Sequence, residues 1–351
     1  MAEQKLTLAC AEAAGLAEEI LIRSGAPQAD ASLVADCLLE AEISRMPSHG
    51  FLRLRPTVER IHLGLINPRP NIRCQMTAPN ICLFDGDGAM GQVAGHQAMQ
   101  ECIRIAKEYG SAFAAVRRVF HFGMIGRYVR TAASQGCLAF VCTNASAQMA
   151  PFGGMTKVLG TNPFAIAFPT VDGDAFSLDV STAAAARGKI RMAAREGRVI
   201  PAGWAIDPEG RDTTSPEAGL KGSVLPMAGH KGFGMAMAVD MLSGILTGAD
   251  LSYEAPNMFD SRSPVNTGCF MMALDLSRFV PDQAVYEARM SAWLERIRFS
   301  ELRPGVDSIH VPGDTQNALR RDHPNEITLS RSTWDDMQQL LRECCAKGDK
   351  T

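Results

Sequence analysis

No apolar run in this 351-residue chain reaches the ~20 residues of a membrane span, because Gly, Asp or Thr interrupts each one early. The opening MAEQKLTLACAEAAG lacks the basic-then-apolar order and the cleavage site of a secretory leader, so a cytoplasmic protein is expected. No CxxC pair occurs among the ten cysteines, of which only Cys344 and Cys345 adjoin. That spacing argues for reduced thiols, with neither a disulfide frame nor a metal site. Charge of one sign is not in excess: a net charge of -3 gives no reason to expect nucleic acid or an anionic membrane as a partner. Internal repeats and low-complexity segments are absent. What remains, 46% hydrophobic and 21% charged, is the composition of an ordinary soluble globular protein. Its length exceeds the usual single core, so one large domain or two intertwined ones are expected.

Apolar residues at helical spacing predict helices over 6–24 and 28–45, broken by SGAP, with a third over about 50–63 ending at Gly64. After the linker NPRPNIR, strands alternate with helices. Strands are expected at 80–84, 111–116, 137–143, 162–169, 176–181 and 268–275, and helices at 93–110, 124–136 and 281–299. The segment 232–249 is apolar on nearly every side and reads as a buried helix. The expected organisation is a helical N-terminal region (1–78), an α/β body (79–270) and a C-terminal strand with helices packing back on that body (271–351).

DGDGAMGQ contains Gly86, Gly88 and Gly91, a literal GxGxxG between a strand and a helix, with Glu108 about 20 residues on. Two points oppose a dinucleotide loop. Asp85 and Asp87 would repel a pyrophosphate, and Glu108 precedes the second strand, whereas a ribose-binding acid follows it. Arg117 and Arg118 do follow that strand and could meet a 2'-phosphate. A tight glycine turn without a ligand is the simpler reading.

Other stretches carry more chemistry. His121 follows a strand and precedes glycines, as either a ligand-facing or a capping histidine. GTNP offers Thr161 and Asn162 as donors and acceptors for an amide such as a nicotinamide carboxamide, or as a plain Pro-terminated turn. Ser181 and Thr182 stand where a helix could start, as N-caps or as part of a phosphate site. Lys231 lies between glycines, placed to meet an anion. In SRMPSHGFLRLR, His49 and Arg53 would share a helix face at i and i+4. There the guanidinium could hold a carboxylate bidentately while the imidazole passes a proton near neutral pH. Alternatively, both are a helix-end histidine and a surface arginine.

Seven ordered blocks, SHGFLRL…GLINPRP, DGDGAMGQ, HFG, APFGG…LGTNPFAIAFP, DVST…ARGKI, IPAGWAIDPEGRDTT and LPMAGHKGFGMAMAVDMLSG, resemble the type-2 malate/L-lactate dehydrogenase family. Ureidoglycolate dehydrogenase, diketogulonate reductase and the piperideine/pyrroline-2-carboxylate reductases belong to the same group, and the resemblance spans roughly residues 5–335. It implies a non-Rossmann NAD(P)-binding α/β fold with a mixed, largely antiparallel sheet, and a homodimer with active sites near the subunit interface. On it, the Gly86–Gly91 turn is not a phosphate loop. His49 matches the proton donor, Arg53 the arginine near the substrate carboxylate, and His121 a second active-site histidine. Leu178, Asp179, Val180, Ser181, Thr182, Ala183 and Ala184, with His230 and Lys231, match cofactor-binding stretches. Pro312, Gly313 and Asp314 match a late nucleotide-contacting block, with Asp314 in place of glutamate. Pro47 departs from the commoner polar residue before SHG.

The expected function is hydride transfer between NADPH or NADH and a small 2-oxo acid or its 2-hydroxy acid. The alternative is reduction of a cyclic 2-imino acid. Arg187, the first cation after Ala183–Ala186, tips the expectation towards NADPH, since a 2'-phosphate gains charge-assisted bonds and a bare hydroxyl gains little. A non-catalytic binding protein on the same scaffold would have no need of both His49 and His121.

Overall fold

The computed structural model describes residues 4–171, 175–258, 260, 262–322 and 325–348. In chain order the elements are β1 (Lys5–Ala9), α1 (Cys10–Arg23), α2 (Gln28–Ile43), α3 (Leu54–His62), β2 (Arg73–Ala78), β3 (Ile81–Ala89), α4 (Gly91–Tyr109), β4 (Ser111–Val119), α5 (Gly126–Ala133), β5 (Cys137–Thr143), β6 (Phe164–Pro169) and β7 (Ala175–Val180). There follow α6 (Arg187–Arg195), β8 (Ala205–Ile206), β9 (Asp212–Thr213), α7 (Pro216–Lys221), β10 (Ser223–Val224), α8 (His230–Asp240), β11 (Thr267–Asp275), α9 (Leu276–Phe279), α10 (Gln283–Arg298), α11 (Asp314–Asp322), β12 (Glu326–Ser330) and α12 (Arg331–Gly348).

Seven strands form one sheet in the order β2-β3-β4-β11-β5-β6-β7. Only β3 and β4 run parallel, joined by α4; every other neighbouring pair is antiparallel. The expected mixed, largely antiparallel sheet is thus present. Strand β11 arrives more than a hundred residues after β5, yet it lies between β4 and β5. The segment boundary expected at 270 and 271 falls inside it. Small residues on one sheet face (Ala112, Ala114, Ala139, Ala165, Ala167, Ala273) let α4 and α5 pack closely there.

The two chain ends share a second core. Residues 5–9, expected to open a helix, instead alternate in period two and pair with β12, burying part of Leu6 and Leu8 against α1, α3 and α12. A strand pairing from the far end of the chain outweighs local helical spacing here. A third cluster joins Met149, Leu159, Ala183, Ile190, Ile200 and Ala236 around α6, α7 and α8.

Two further expectations are corrected. No helix starts at Ser181 or Thr182: residues 182–184 pair with 225–227 in extended form, and α6 begins only at Arg187, with Ala186 as an N-cap lacking a side-chain bond. The segment 232–249 is not buried throughout. α8 passes into a π-helical turn at Met241–Ile245, and Met237, Met241 and Ile245 form a solvent-facing stripe.

The GxGxxG glycines serve packing. A Cβ on Gly86 would lie 2.2 Å from Val119, and one on Gly91 would lie 2.6 Å from the His121 carbonyl. The neighbouring carboxylates are already engaged, Asp85 by Arg118 and Asp87 by Asn67 and the Asn71 amide. Gly91→Ala is expected to destabilise by about 1–3 kcal/mol through overpacking and to displace His121, read by thermal unfolding and by the His121 imidazole resonances. Wild-type values in both would refute the packing role.

Candidate active site

His49 comes from the end of α2. The chain turns after Ile43 into a single 3-10 turn, Pro47–His49, whose first position suits proline, and a second turn, Phe51–Arg53, follows. Gly50 separates them. A Cβ there would sit 2.1 Å from Glu42 Oε1, so glycine alone leaves room for the Glu42 carboxyl to accept the Phe51 amide at 2.9 Å. The continuous helix expected from about residue 50 therefore begins only at Leu54, and His49 and Arg53 do not share a helix face. They meet through the turns instead, with Arg53 Nε donating to the Ser48 carbonyl.

The second histidine arrives from the sheet. β4 ends at Val119, and two residues later the His121 ring stacks on His49 with centroids 5.5 Å apart and planes 28° apart. His121 Nδ1 accepts the Gly123 amide at 3.0 Å, so its Nε2 carries the hydrogen. His49 Nδ1 faces the Ser48 hydroxyl at 3.0 Å, a partner that can donate or accept, so this ring can adopt either tautomer.

Electrostatics follow from burial. Both rings are half-buried, and desolvation, then the Arg53 charge, lowers His49 to about 4. His121 is pushed well below its ordinary value by the same burial, then by Arg53 and His49. Arg53 falls to about 10 through burial and the nearby charge of Arg191. Burial raises Glu42 to about 7 despite the Phe51 amide. At neutral pH the site is therefore two neutral imidazoles beside a guanidinium, a setting that favours an anion.

A cavity of about 300 Å³ is walled in part by Met46 and Met124, each three residues from one of the histidines, though neither ring lines it. Leu178, Asp179, Pro312 and Gly313 line it together, so two sequence stretches over 130 residues apart converge there. Ser177 links them by donating its amide to the Pro312 carbonyl at 3.1 Å. Asp179 accepts the first amide of α5, Gly126, at 2.8 Å, and burial raises its carboxyl. Asp314 turns away from the cavity. Its carboxylate pairs with Arg298 at 2.6 Å and accepts the Val311 amide at 3.0 Å, which lowers it.

The remaining candidates lie elsewhere or are occupied. Asn162 is fully buried, its carbonyl oxygen accepting from Ala145 and Ser252 and its amide donating to the Ala236 carbonyl, so its side chain is no free reader of an amide. Thr161 supplies a carbonyl to Thr182. Ser181 accepts the Ala183 amide at 3.1 Å, and Val180 ends β7. Ala184 donates to Leu225. Arg187 is held by the Gln148 side chain and, at 2.7 Å, by the Leu220 carbonyl. His230 and Lys231 stand exposed on the first turn of α8, with the His230 ring edge-on to Phe152.

Sequence reasoning missed Glu42, Arg60, Asp240 and Met258. An acid six residues before the SHG turn gives no local signal, and Asp240 finds Ser252 and Asn144 only through the fold.

Residues 8–338 match the malate/L-lactate dehydrogenase family. The chain belongs to that family. It is 34% identical to the L-sulfolactate dehydrogenase of Methanocaldococcus jannaschii over 93% of each chain. The solved structure of that enzyme superposes with a TM-score of 0.91, covering 97% of both chains at 33% identity. The delta1-piperideine-2-carboxylate reductase of Pseudomonas syringae superposes at 0.85 with 26% identity, covering 95% of this chain and 99% of that one. A (2R)-3-sulfolactate dehydrogenase (NADP(+)) of Chromohalobacter salexigens and a ureidoglycolate dehydrogenase (NAD(+)) of Escherichia coli O157:H7 are each 31% identical. They cover 93% of this chain and 96% and 92% of their own.

From these shifts the protein is expected to show two opposed pH slopes in stability. His49, lowered to about 4 when folded, contributes stability that is present above its unfolded pKa of ~6.5 and lost as pH falls through 4. Glu42, raised to about 7, contributes stability present below ~4.3 and lost as pH rises through 7. Urea unfolding between these limits should show Glu42→Gln losing the decline towards neutral pH and His49→Gln losing part of the decline towards acid. Unchanged slopes in both variants would contradict these burial effects.

Proposed function

We propose that this protein is an NAD(P)-dependent oxidoreductase that moves a hydride between nicotinamide and C2 of a small 2-oxo acid or its 2-hydroxy acid. The observation that carries this reading is the stacked His49–His121 pair with Arg53 beside it, on the two turns whose Met46 and Met124 wall the cavity. The cavity fits a nucleotide: the Ser177 hydroxyl that lines it is buried and lacks a partner among the described residues. Leu178, Asp179, Pro312 and Gly313 would hold that nucleotide, with His230 and Lys231 at its phosphates. When bound, the nicotinamide supplies or accepts the hydride.

The chain's own residues do the rest. Arg53 holds the substrate carboxylate through its planar fork. His49, free to change tautomer against Ser48, delivers a proton to the substrate oxygen in reduction and accepts it in oxidation. His121, whose Nε2 carries the hydrogen, donates to the same oxygen and fixes its position. An arriving carboxylate raises His49 from its low resting value, so that the acid form becomes accessible near neutral pH.

Arg191 narrows the acid. Its charge reaches Arg53, and it has no carboxylate partner among the described residues, which favours a substrate with a second anionic group, such as oxaloacetate or sulfopyruvate. A cyclic 2-imino acid is the second reading, supported by the likeness to the piperideine-2-carboxylate reductase. Absorbance at 340 nm with oxaloacetate, sulfopyruvate, pyruvate, ureidoglycolate and piperideine-2-carboxylate tests both. His49→Ala should lower turnover on the accepted acid roughly 100-fold or more, and Arg53→Lys should raise KM sharply. Retained turnover, or a KM within about twofold, would refute the respective role.

NADPH as the preferred donor rests on Arg187, which no carboxylate neutralises among the described residues and whose Nε is buried without a partner. Arg187→Ala should reduce kcat/KM for NADPH alone by about tenfold, or ~1.4 kcal/mol; equal losses for both cofactors would refute it. The protein acts as a homodimer in this proposal, with the Met237–Met241–Ile245 stripe as part of the interface. Sedimentation should then show a dimer that Met241→Asp weakens, and a monomeric wild type would overturn it.

A further inference from the structure

Arg60 is the largest side chain with no solvent exposure in this protein, and it has no carboxylate within pairing distance among the described residues. Its guanidinium is satisfied by main-chain oxygens of one segment: Nε donates to the Met258 carbonyl at 3.0 Å, and the two terminal nitrogens donate to the Ser263 and Asp260 carbonyls at 3.0 and 2.5 Å. The opposite face of the guanidinium lies 5.1 Å from the centre of the Phe120 ring, the residue before His121. A planar fork that reaches three carbonyls at once is a geometry an ammonium cannot supply.

The segment so held touches the acid site. Met258, whose carbonyl Arg60 fixes, directs its Sδ to a terminal nitrogen of Arg53. Arg53 and Arg60 are seven residues apart, at the start and within α3, and so lie on one side of that helix two turns apart. A thioether is a weak acceptor. It packs against the Arg53 fork, and a carboxylate makes stronger charge-assisted bonds to that fork.

We propose that Arg60 is a positioning residue for the acid-binding site: it holds the carbonyls of Met258, Asp260 and Ser263 so that Met258 presets the Arg53 guanidinium for the substrate carboxylate. This rests on the function proposed above. Loss of the pin should weaken acid binding while leaving the proton-transfer pair and the nucleotide cavity as they are.

The test uses Arg60→Met and Arg60→Lys in the whole protein, the lysine variant guarding against a methionine variant that fails to fold. KM for the accepted acid should rise at least about fivefold, with kcat within about twofold and KM for the nicotinamide cofactor unchanged. In an Arg53→Lys background the same changes should add little to KM, because both residues act on one contact. A second readout needs no substrate: the Arg262 side chain is 88% exposed within the pinned segment, so trypsin should cleave after it faster in both variants. Parallel losses in kcat and both KM values, or additive effects with Arg53→Lys, would overturn the positioning role. If the wild type transfers hydride to none of the acids, the proposed function fails, and unchanged cleavage at Arg262 then overturns the pinning as well.

Discussion

The antiparallel register of β11 on β4 is the constraint on which the site depends. Thr267 opposes Val119, so the segment leading into β11 emerges beside the strand end that delivers His121. Asn266 fastens this junction by accepting the Arg118 amide at 2.8 Å and donating to Asp250 at 3.0 Å. A register slip of one residue would invert the inward and outward faces of β11. It would set Met271 and Ala273, now buried under α4, on the opposite face and carry Met258 away from Arg53.

Electrostatics at the site are built largely by main-chain and thioether contacts. Arg53 is held by a main-chain carbonyl and a thioether, and Arg60 by three carbonyls, although carboxylates are plentiful elsewhere on the chain. Where acids do approach they are directed elsewhere: Glu42 to the Phe51 amide, Asp179 to the first amide of α5, Asp314 to Arg298. In a half-buried site the attraction of the Arg53 guanidinium for an incoming carboxylate is weakly screened. The same burial keeps both imidazoles neutral, which avoids charge repulsion with Arg53 in the absence of an anion.

A buried polar network steadies α8 and the strand end beside it. Asp240 at the end of α8 accepts from Ser252 and Asn144, and Ser252 passes to Asn162, whose amide returns to the Ala236 carbonyl on α8. Each member is satisfied by another, so removing one would leave a buried partner unpaired. Asn162 thus fixes the approach of β6 to α8, which places the exposed first turn carrying His230 and Lys231.

Sequence by itself determined the helices α1, α2, α4, α5 and α10, six of the seven sheet strands, and the identity of the paired histidines and the arginine, since period, capping signals and motif order are local properties. It also gave sufficient reason to distrust the glycine fingerprint, because the repelling carboxylates are adjacent to it. Tertiary structure alone decided that residues 5–9 are a strand, that β11 lies at the centre of the sheet, and that Asn162 faces a network. It likewise decided that α8 exposes an apolar stripe, that Glu42 reaches the Phe51 amide, and that Arg60 and Arg53 both meet Met258. Each of these depends on a partner tens to hundreds of residues away, and a side chain's partner is set by packing and register, which no local window of the chain contains.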